Sequence, residues 1–452
     1  MEIFAQNPVA IIGAGFAGLT AANFLRQHNV PFVLFESGKK IAGLATSFKD
    51  EEGFSHDFGA HFITNRLAKA IGVEQQCETV KYYGESVWID GKIYKYPFGL
   101  IKIPRMSASW AIGQAKSLFN WQKPSSSEDW FKKHYGSSLA NEIALPLIEA
   151  WSGVPARELS PAVGDGLFGG NIFKTLYLKT VGKLTGRAVA CGYNREKPET
   201  ASVWHAYPIK GISTLCEKLA EDLGDLIKLE SPVKTIFVEN EKVVAVEVNG
   251  KRQEVSAVVS TAPVNILSKM VTGTASFKKI EDFQYRAMTF VNMRFKGRNL
   301  MPDTVVWFPK KEFPFFRLTE ATISMPWLAP EGKTIITADI GCQKNDDIWK
   351  MDEAELIELC LNNLAALIPD AKQRFLGGNV LKTPFAYPVF LNEYEEERQN
   401  FGQQAQISNL LSIGRNGEFS HMFMEDVYWR TQKKIKHFIE SRESYASRIY
   451  NN

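Results

Sequence analysis

Cysteine is scarce and unpatterned: five in 452 residues (Cys77, Cys191, Cys216, Cys342, Cys360), an odd number with no C-x-x-C spacing. This argues against a disulfide framework and for a reducing cytoplasm, and on the same evidence no metal site is expected. No run reaches the roughly 18 apolar residues of a membrane-spanning helix. The first strand starts so early that no leader peptide is expected before it. Charge of either sign is nearly balanced, at +3, and no basic cluster is interleaved with stacking aromatics, so nucleic acid is not an expected partner. The Lys433 to His437 run reads as the solvated face of a C-terminal helix. Low-complexity tracts and internal repeats are absent. What remains is a globular composition, 45% hydrophobic and 23% charged, in a chain too long for one ordinary domain and comfortable for two.

The richest segment lies near the start. Val9 to Ile12 is a short apolar strand, followed by Gly13, Gly15 and Gly18 at G-x-G-x-x-G spacing and then by Leu19 to Leu25 with helical periodicity. The three glycines serve a tight turn, a close backbone approach to a pyrophosphate, and helix-on-strand packing. A helix N-terminus adds unpaired N–H groups and positive dipole charge for phosphates. A second strand, Phe32 to Phe35, ends in Glu36, at the roughly 20-residue offset of the acid that holds a ribose hydroxyl pair. A carboxylate there disfavours a 2′-phosphate, and hence NADP. The segment specifies a dinucleotide site.

Three further blocks refine it. Ile41-Ala42-Gly43-Leu44-Ala45 is a second small-residue turn, and Gly53 to Phe62 carries Gly59-Ala60-His61. Tyr207 to Ile212 precedes a helix over 213–223 and the strands Val233 to Val238 and Val243 to Val248. Asn249-Gly250 there signals a hairpin, because a type I′ turn needs positive φ at both positions. Asn409 to Val427 runs a buried strand into glycines and then a helix. With these blocks the sequence resembles, over nearly its whole length, the flavoprotein superfamily of amine oxidases, protoporphyrinogen oxidases and UDP-galactopyranose mutase-like proteins. Ala42-Gly43-Leu44, where amine oxidases usually carry Gly-Gly-Arg, looks more like the mutase-like and protoporphyrinogen-oxidase-like branches. The resemblance implies FAD, held non-covalently because no cysteine lies near the Gly414 block. It places at the cofactor Gly13, Gly15, Phe16, Ala17, Gly18, Glu36, Ser37, Gly43, Leu44, Ala45, Gly59, Ala60, His61, Val233 (backbone against the adenine), Gly414, Arg415, Met424 and Glu425. A one-residue shift from Glu425 to Asp426 stays open.

The implied fold class is α/β: a discontinuous Rossmann-type FAD-binding domain from 1–75, 205–265 and 375–440, and a mixed α+β substrate domain from 76–204 and 266–374 with a helical insertion. Residues 441–452 are left as a C-terminal tail. Ser127 with Glu128 and Asp129 marks a helix start; strands are expected at 288–293 and 334–338, and a helix at 353–367. The stretch from Leu100 to Trp121 leaves peripheral membrane contact open, although a substrate-domain helix is the better reading of its few basic residues (Lys102, Arg105, Lys116).

In such flavoproteins the isoalloxazine accepts hydride at N5, so the protein chiefly positions the substrate, and a catalytic triad is not required. The candidate catalytic residues are His61, Arg286 (after Tyr285), Arg317 (after the aromatic run Phe313, Phe315, Phe316) and Tyr387. For each the plainer reading is packing, a turn or a surface cation. Three functions compete. The first is an FAD-dependent oxidoreductase resembling protoporphyrinogen oxidase or flavin amine oxidase, acting on a small organic substrate. The second is a sugar-nucleotide mutase using reduced flavin, and the third a non-catalytic flavin-bound assembly protein. The substrate, the electron acceptor and the oligomeric state are not written in the sequence.

Overall fold

A computed structural model describes residues 7–119, 123–164, 172–192, 195–403 and 407–450. The first strand, β1 (Val9–Ile12), is wholly apolar and buried on both faces, as a central parallel strand must be. It leads into α1 (Phe16–Gln27) and β2 (Phe32–Phe35). Their sheet has five strands in the order Ile227–Lys228, β2, β1, Ala257–Ser260, Leu410–Ser412, and every pairing is parallel. Three distant stretches of chain therefore meet in one sheet. Its two faces carry different apolar cores. Leu19, Ala22 and Leu25 of α1 pack with Val427, Ile435 and Phe438 of the C-terminal helix Met424–Tyr450 on one side. Ala10, Ile12 and Val258 pack with Val246 and Phe419 on the other.

The Asn249-Gly250 turn has φ of 50° and 74°, both positive as type I′ requires. It closes a hairpin of Lys242–Val248 with Lys251–Glu254 in a separate four-stranded sheet that also holds Val233–Glu239.

The second large sheet has seven strands in the order Phe375–Pro388, Tyr285–Lys296, Lys333–Cys342, Arg317–Glu320, Val305–Trp307, Glu85–Ile89, Lys92–Lys95. It is antiparallel except where Val305–Trp307 meets Glu85–Ile89. Here one expected boundary is corrected. Residues 375–388, assigned with the closing cofactor block, form the edge strand of this sheet, paired with Tyr285–Lys296. Its pairing partner lies 80 to 103 residues earlier in the chain (Phe295 with Phe375, Tyr285 with Pro388), a long-range contact that leaves no local pattern.

Smaller differences concern helix ends. The helix expected at Ser127 runs Ser127–Tyr135, but Ser126 caps it by accepting from the Asp129 N–H at 3.2 Å. Asp352 and Glu355 form a reciprocal capping box for Glu353–Leu364, which stops three residues short of 367. The presumed tail from 441 continues the C-terminal helix to Tyr450; residues 451–452 lie outside the described residues. So do Asn120 and Trp121, while residues 100–119 fall in the helices Phe98–Ile101 and Pro104–Phe119 and the turn between them. Among the described residues no helix is long and apolar enough to cross a membrane, and no group of His, Cys, Asp and Glu is arranged to hold a metal ion.

Candidate active site

Three glycine turns converge at the end of β1. Gly13 has φ +95°, and a Cβ there would overlap Thr261 Oγ1, which donates to the Ile12 carbonyl at 2.8 Å. Only glycine meets both demands. A Cβ on Gly18 would overlap the Gly13 carbonyl, so α1 sits hard against the turn. Gly15 is the N-cap of α1 and brings no capping side chain, and the first turn of α1 contains no acid. Its orphan N–H groups and positive dipole end are left for an external anion. The second turn, Ala42 to Ala45, bridges to Gly15, and the Ala42 N–H donates to the Ala14 carbonyl at 2.8 Å. A Cβ on Gly43 would stand 3.4 Å from the Gly15 Cα. The third turn begins the short helix Gly414–Gly417; Gly414 has φ +81°, and its Cβ would come within 2.7 Å of the Ala17 Cβ.

The Glu36 carboxylate faces the first turn. It accepts from the Ala14 N–H at 2.7 Å and from the Gly38 N–H at 2.7 Å, and Ser37 donates to it at 3.2 Å. The Ser231 N–H donates to the Glu36 carbonyl at 2.8 Å, which brings the strand starting at Val233 to the same end of β2 as Glu36. The donor set, the three turns and the uncapped helix fit a dinucleotide. Phe16, Ala17, Leu44 and Ala45 stand within these turns.

Met424 and Glu425 open the C-terminal helix, so the expectation for them rests on its N-terminus, and the Glu425 side chain has protein partners. Its carboxylate is 3% exposed and engaged by the Thr64 hydroxyl (2.8 Å), Arg66 Nε (2.6 Å) and Trp429 Nε1 (3.1 Å). Asp426 is engaged as well, accepting the Arg195 and Glu196 N–H groups at 2.7 and 3.1 Å. Both carboxylates anchor the start of the C-terminal helix, and Met424 packs into the α1 core.

The second sheet presents one face to the Gly59 turn. Phe290 pairs with Asp339 and Asp339 with Arg317, so the three lie in a row across neighbouring strands. A Cβ on Gly59 (φ +75°) would approach Phe290 Cε1 to 2.9 Å and Arg317 Nη2 to 3.4 Å. Two and four residues before Phe290 along its strand, Met288 and Arg286 share this face. Arg286 pairs with Tyr387, and next to that pair the edge strand bulges, which re-aims the Tyr387 ring. Tyr387 packs on Trp151 (centroids 4.9 Å) and lies 5.9 Å from His421, whose ring meets Trp151 edge-on at 5.2 Å. The Arg415 guanidinium lies 5.6 Å from the Tyr387 ring. The structure thus brings Gly59, Ala60, His61, Arg286, Arg317, Tyr387 and Arg415 to one region between the two sheets. Asp339, Phe290, Trp151 and His421 complete it and were not expected. Asp339 could have been found as the lone carboxylate in the apolar run Thr334 to Ile340.

The charges are unusual. Arg317 is ion-paired with the fully buried Asp339. Burial works to lower the guanidinium, but attraction to Asp339 raises it, so it stays charged. Burial lifts the Asp339 carboxyl above its ordinary value despite that partner. Arg286 is 9% exposed, has no carboxylate within 4 Å among the described residues, and leaves Nε buried without a hydrogen bond. Its guanidinium lies against Gly153 and Gly341, where any Cβ would crowd it. Arg415 likewise pairs with no described carboxylate and donates to the Met422 carbonyl at 3.2 Å. Burial and then the neighbouring Arg415 and Arg195 push His421 well below the ordinary histidine value, so it is neutral.

A Rossmann-type parallel sheet with a glycine cradle, facing a mixed sheet with aromatic and cationic walls, defines a flavoprotein-type oxidoreductase fold. The family model for flavin containing amine oxidoreductase matches residues 16–414, and the chain belongs to that family of FAD-dependent oxidoreductases. Coproporphyrinogen III oxidase of Staphylococcus aureus is 23% identical over 402 residues, spanning 80% of this chain and 84% of that protein. A flavin-containing amine oxidase of Oncorhynchus mykiss is 21% identical over 297 residues, spanning 59% and 52%. Among solved structures, reduced UDP-galactopyranose mutase shares the fold with a TM-score of 0.77 at 18% identity, covering 96% of both chains.

Proposed function

We propose that the protein holds FAD non-covalently and oxidises a reduced organic substrate that enters without a positive charge, a porphyrinogen-like molecule rather than a protonated amine. The observation that carries this is Arg286, a buried cation with no carboxylate partner among the described residues. A protonated amine brought against this desolvated cation is repelled in a medium that screens weakly. A neutral or carboxylate-bearing molecule is not. The match to a coproporphyrinogen III oxidase over four-fifths of the chain supports the same choice.

In this reading the α1 N-terminus and Gly414, with Arg415 beside it, would hold the pyrophosphate, Glu36 the ribose, and the strand start at Val233 the adenine. Bound flavin supplies an acceptor for the substrate's hydride. Tyr387 and Trp151 wall the substrate, Arg286 orients it, and the Arg317–Asp339 pair fixes the floor under the Gly59 turn without adding net charge. His61 is the base for the proton that leaves with no electrons. Non-covalent binding is supported by the thiols, of which Cys216, Cys342 and Cys360 are buried in packing. All five are unpaired, which supports a reducing cytoplasmic setting.

The test is anaerobic bleaching of the purified protein's flavin by coproporphyrinogen III, protoporphyrinogen, putrescine and a polyene. Bleaching by the porphyrinogens is expected; bleaching by the amine alone would overturn the reading. A sugar-nucleotide mutase remains the second reading, because Arg286 could equally meet a diphosphate. Interconversion of UDP-galactopyranose only in the presence of dithionite would establish it.

A further inference from the structure

Behind the Gly59 turn lies a small cavity of about 20 Å³, lined by Asp57, His61, Tyr207, Thr319 and Thr337 among others. That is room for one water. Its walls carry polar atoms that are buried without a hydrogen-bond partner: His61 Nδ1, His56 Nδ1 and Thr319 Oγ1. Buried polar groups are seldom left so, and a bridging water is the usual remedy. The fourth wall is a carboxylate. Asp57 is 6% exposed; its Oδ1 accepts from the Ser47 hydroxyl at 2.7 Å and its Oδ2 from the Tyr207 hydroxyl at 2.5 Å. The Asp57 Oδ2 stands 3.6 Å from His61 Nδ1, beyond direct hydrogen bonding and within reach of a shared water.

We propose that one ordered water in this cavity joins His61 to Asp57 and makes Asp57 the inner terminus of a proton path leading away from the substrate. The inference rests on the oxidase reading, in which the substrate loses a hydride to the flavin and one further proton to the protein. That proton adds to His61 Nε2, the Nδ1 proton passes to the water, and a proton of the water passes to Asp57. His61 returns to the number of protons it started with, the carboxylate gains one, and no electrons move along the path. Half-buried Ser47, bonded to Asp57, carries the route outward. The groups facing His61 from the packed elements are Asp57 and neutral His56 on its own hairpin, Tyr207 from the adjoining strand, and Asp339 with its partner Arg317 from the sheet floor. Asp57 is here a positioning and relay residue; it does not touch the substrate.

The experiment has two arms on the full chain. In the first, nitrogen NMR of histidine-labelled protein, with His61 assigned through His61→Gln, reads the imidazole tautomer with and without added FAD. A protonated Nδ1 is expected in the wild type, and a shifted His61 signal in Asp57→Asn and in Thr319→Val. In the second, FAD-loaded protein is mixed anaerobically with coproporphyrinogen III in H2O and in D2O. Flavin reduction should slow on the order of tenfold or more in both variants, with a larger solvent isotope effect. A purely structural Asp57 would lower thermal stability and leave the tautomer and isotope effect as in the wild type, and that result overturns the proposal. Should Asp57→Asn fail to fold, the nearly isosteric Thr319→Val decides alone. Flavin that no porphyrinogen reduces would refute the oxidase reading, while the NMR arm still judges the path.

Discussion

Arg317 and Asp339 face each other across adjacent antiparallel strands and form a buried ion pair directly beneath the Gly59 turn. Removing one partner leaves an uncompensated charge in the interior, which typically costs about 3–5 kcal/mol, whereas replacing both by apolar residues costs far less. Asp339→Asn is therefore expected to lower the thermal midpoint markedly. The pair Arg317→Met with Asp339→Leu should recover most of the loss. Additive losses in the double variant, followed by thermal unfolding, would mean that the two residues are not coupled.

The glycine cradle predicts a cofactor defect separable from folding. Gly414→Val places a branched side chain where even a Cβ comes within 2.7 Å of Ala17, at φ +81°. It should be purified with little or no flavin colour. Glu36→Gln keeps the shape and loses the charge on the acceptor of the Ala14 and Gly38 N–H groups; hydrogen bonds to charged groups are worth about 1.5–3 kcal/mol. FAD affinity, measured by titration of flavin fluorescence, should drop at least tenfold. Unchanged affinity would detach Glu36 from the ribose.

Arg286 predicts selectivity. Arg286→Gln removes the buried cation but can still donate hydrogen bonds. Coproporphyrin III, a tetracarboxylate, should bind more weakly by about 10- to 100-fold, in line with the loss of one charge-assisted bond, while its neutral tetramethyl ester should change little. Quenching titrations on both ligands measure this. Equal losses for acid and ester would assign Arg286 to packing under the helix Leu145–Ser152 instead.

How far the sequence reached depends on the kind of contact. The cradle was readable because its glycines answer local demands: Gly13 needs positive φ, and the Asn249-Gly250 turn needs it twice. Such demands act within a few residues and leave a pattern. The substrate wall was only half readable. Arg286 stood out after Tyr285, Arg317 after the aromatic run Phe313, Phe315 and Phe316, and Tyr387 just before the closing glycine block. Their partners did not, because Asp339, Trp151 and His421 reach them only through pairing and packing across long separations. The partners of the Glu425 carboxylate were hidden for the same reason: Thr64 and Arg66, which hold its oxygens, lie some 360 residues earlier in the chain. The strand Phe375–Pro388 pairs with Tyr285–Lys296 rather than with the glycine block that follows it in the chain, and sequence adjacency carries no trace of that pairing.

His205 makes a prediction about pH. It is 1% exposed, on the strand His205–Pro208 between Ile63–Thr64 and Cys77–Thr79, with Phe62 and Tyr83 packed edge-on at 5.5 and 5.6 Å. Burial pushes its imidazole down to about 4, against an ordinary value of 6.5. Between those values the unfolded chain binds a proton that the folded chain does not, so stability rises with pH. The contribution is fully present above 6.5, is lost as the pH falls through that value, and levels off below about 4. At roughly 1.36 kcal/mol per unit, the loss by about pH 5 is on the order of 2 kcal/mol. His56 and His421, also lowered mainly by burial, act in the same direction, so the wild type should lose more than His205 alone explains. His205→Phe keeps an aromatic ring beside Phe62 and Tyr83 without a titrating group. Urea midpoints at about pH 7 and about pH 5 should then lie closer together in the variant than in the wild type, and an unchanged gap would show that His205 is protonated in the folded protein.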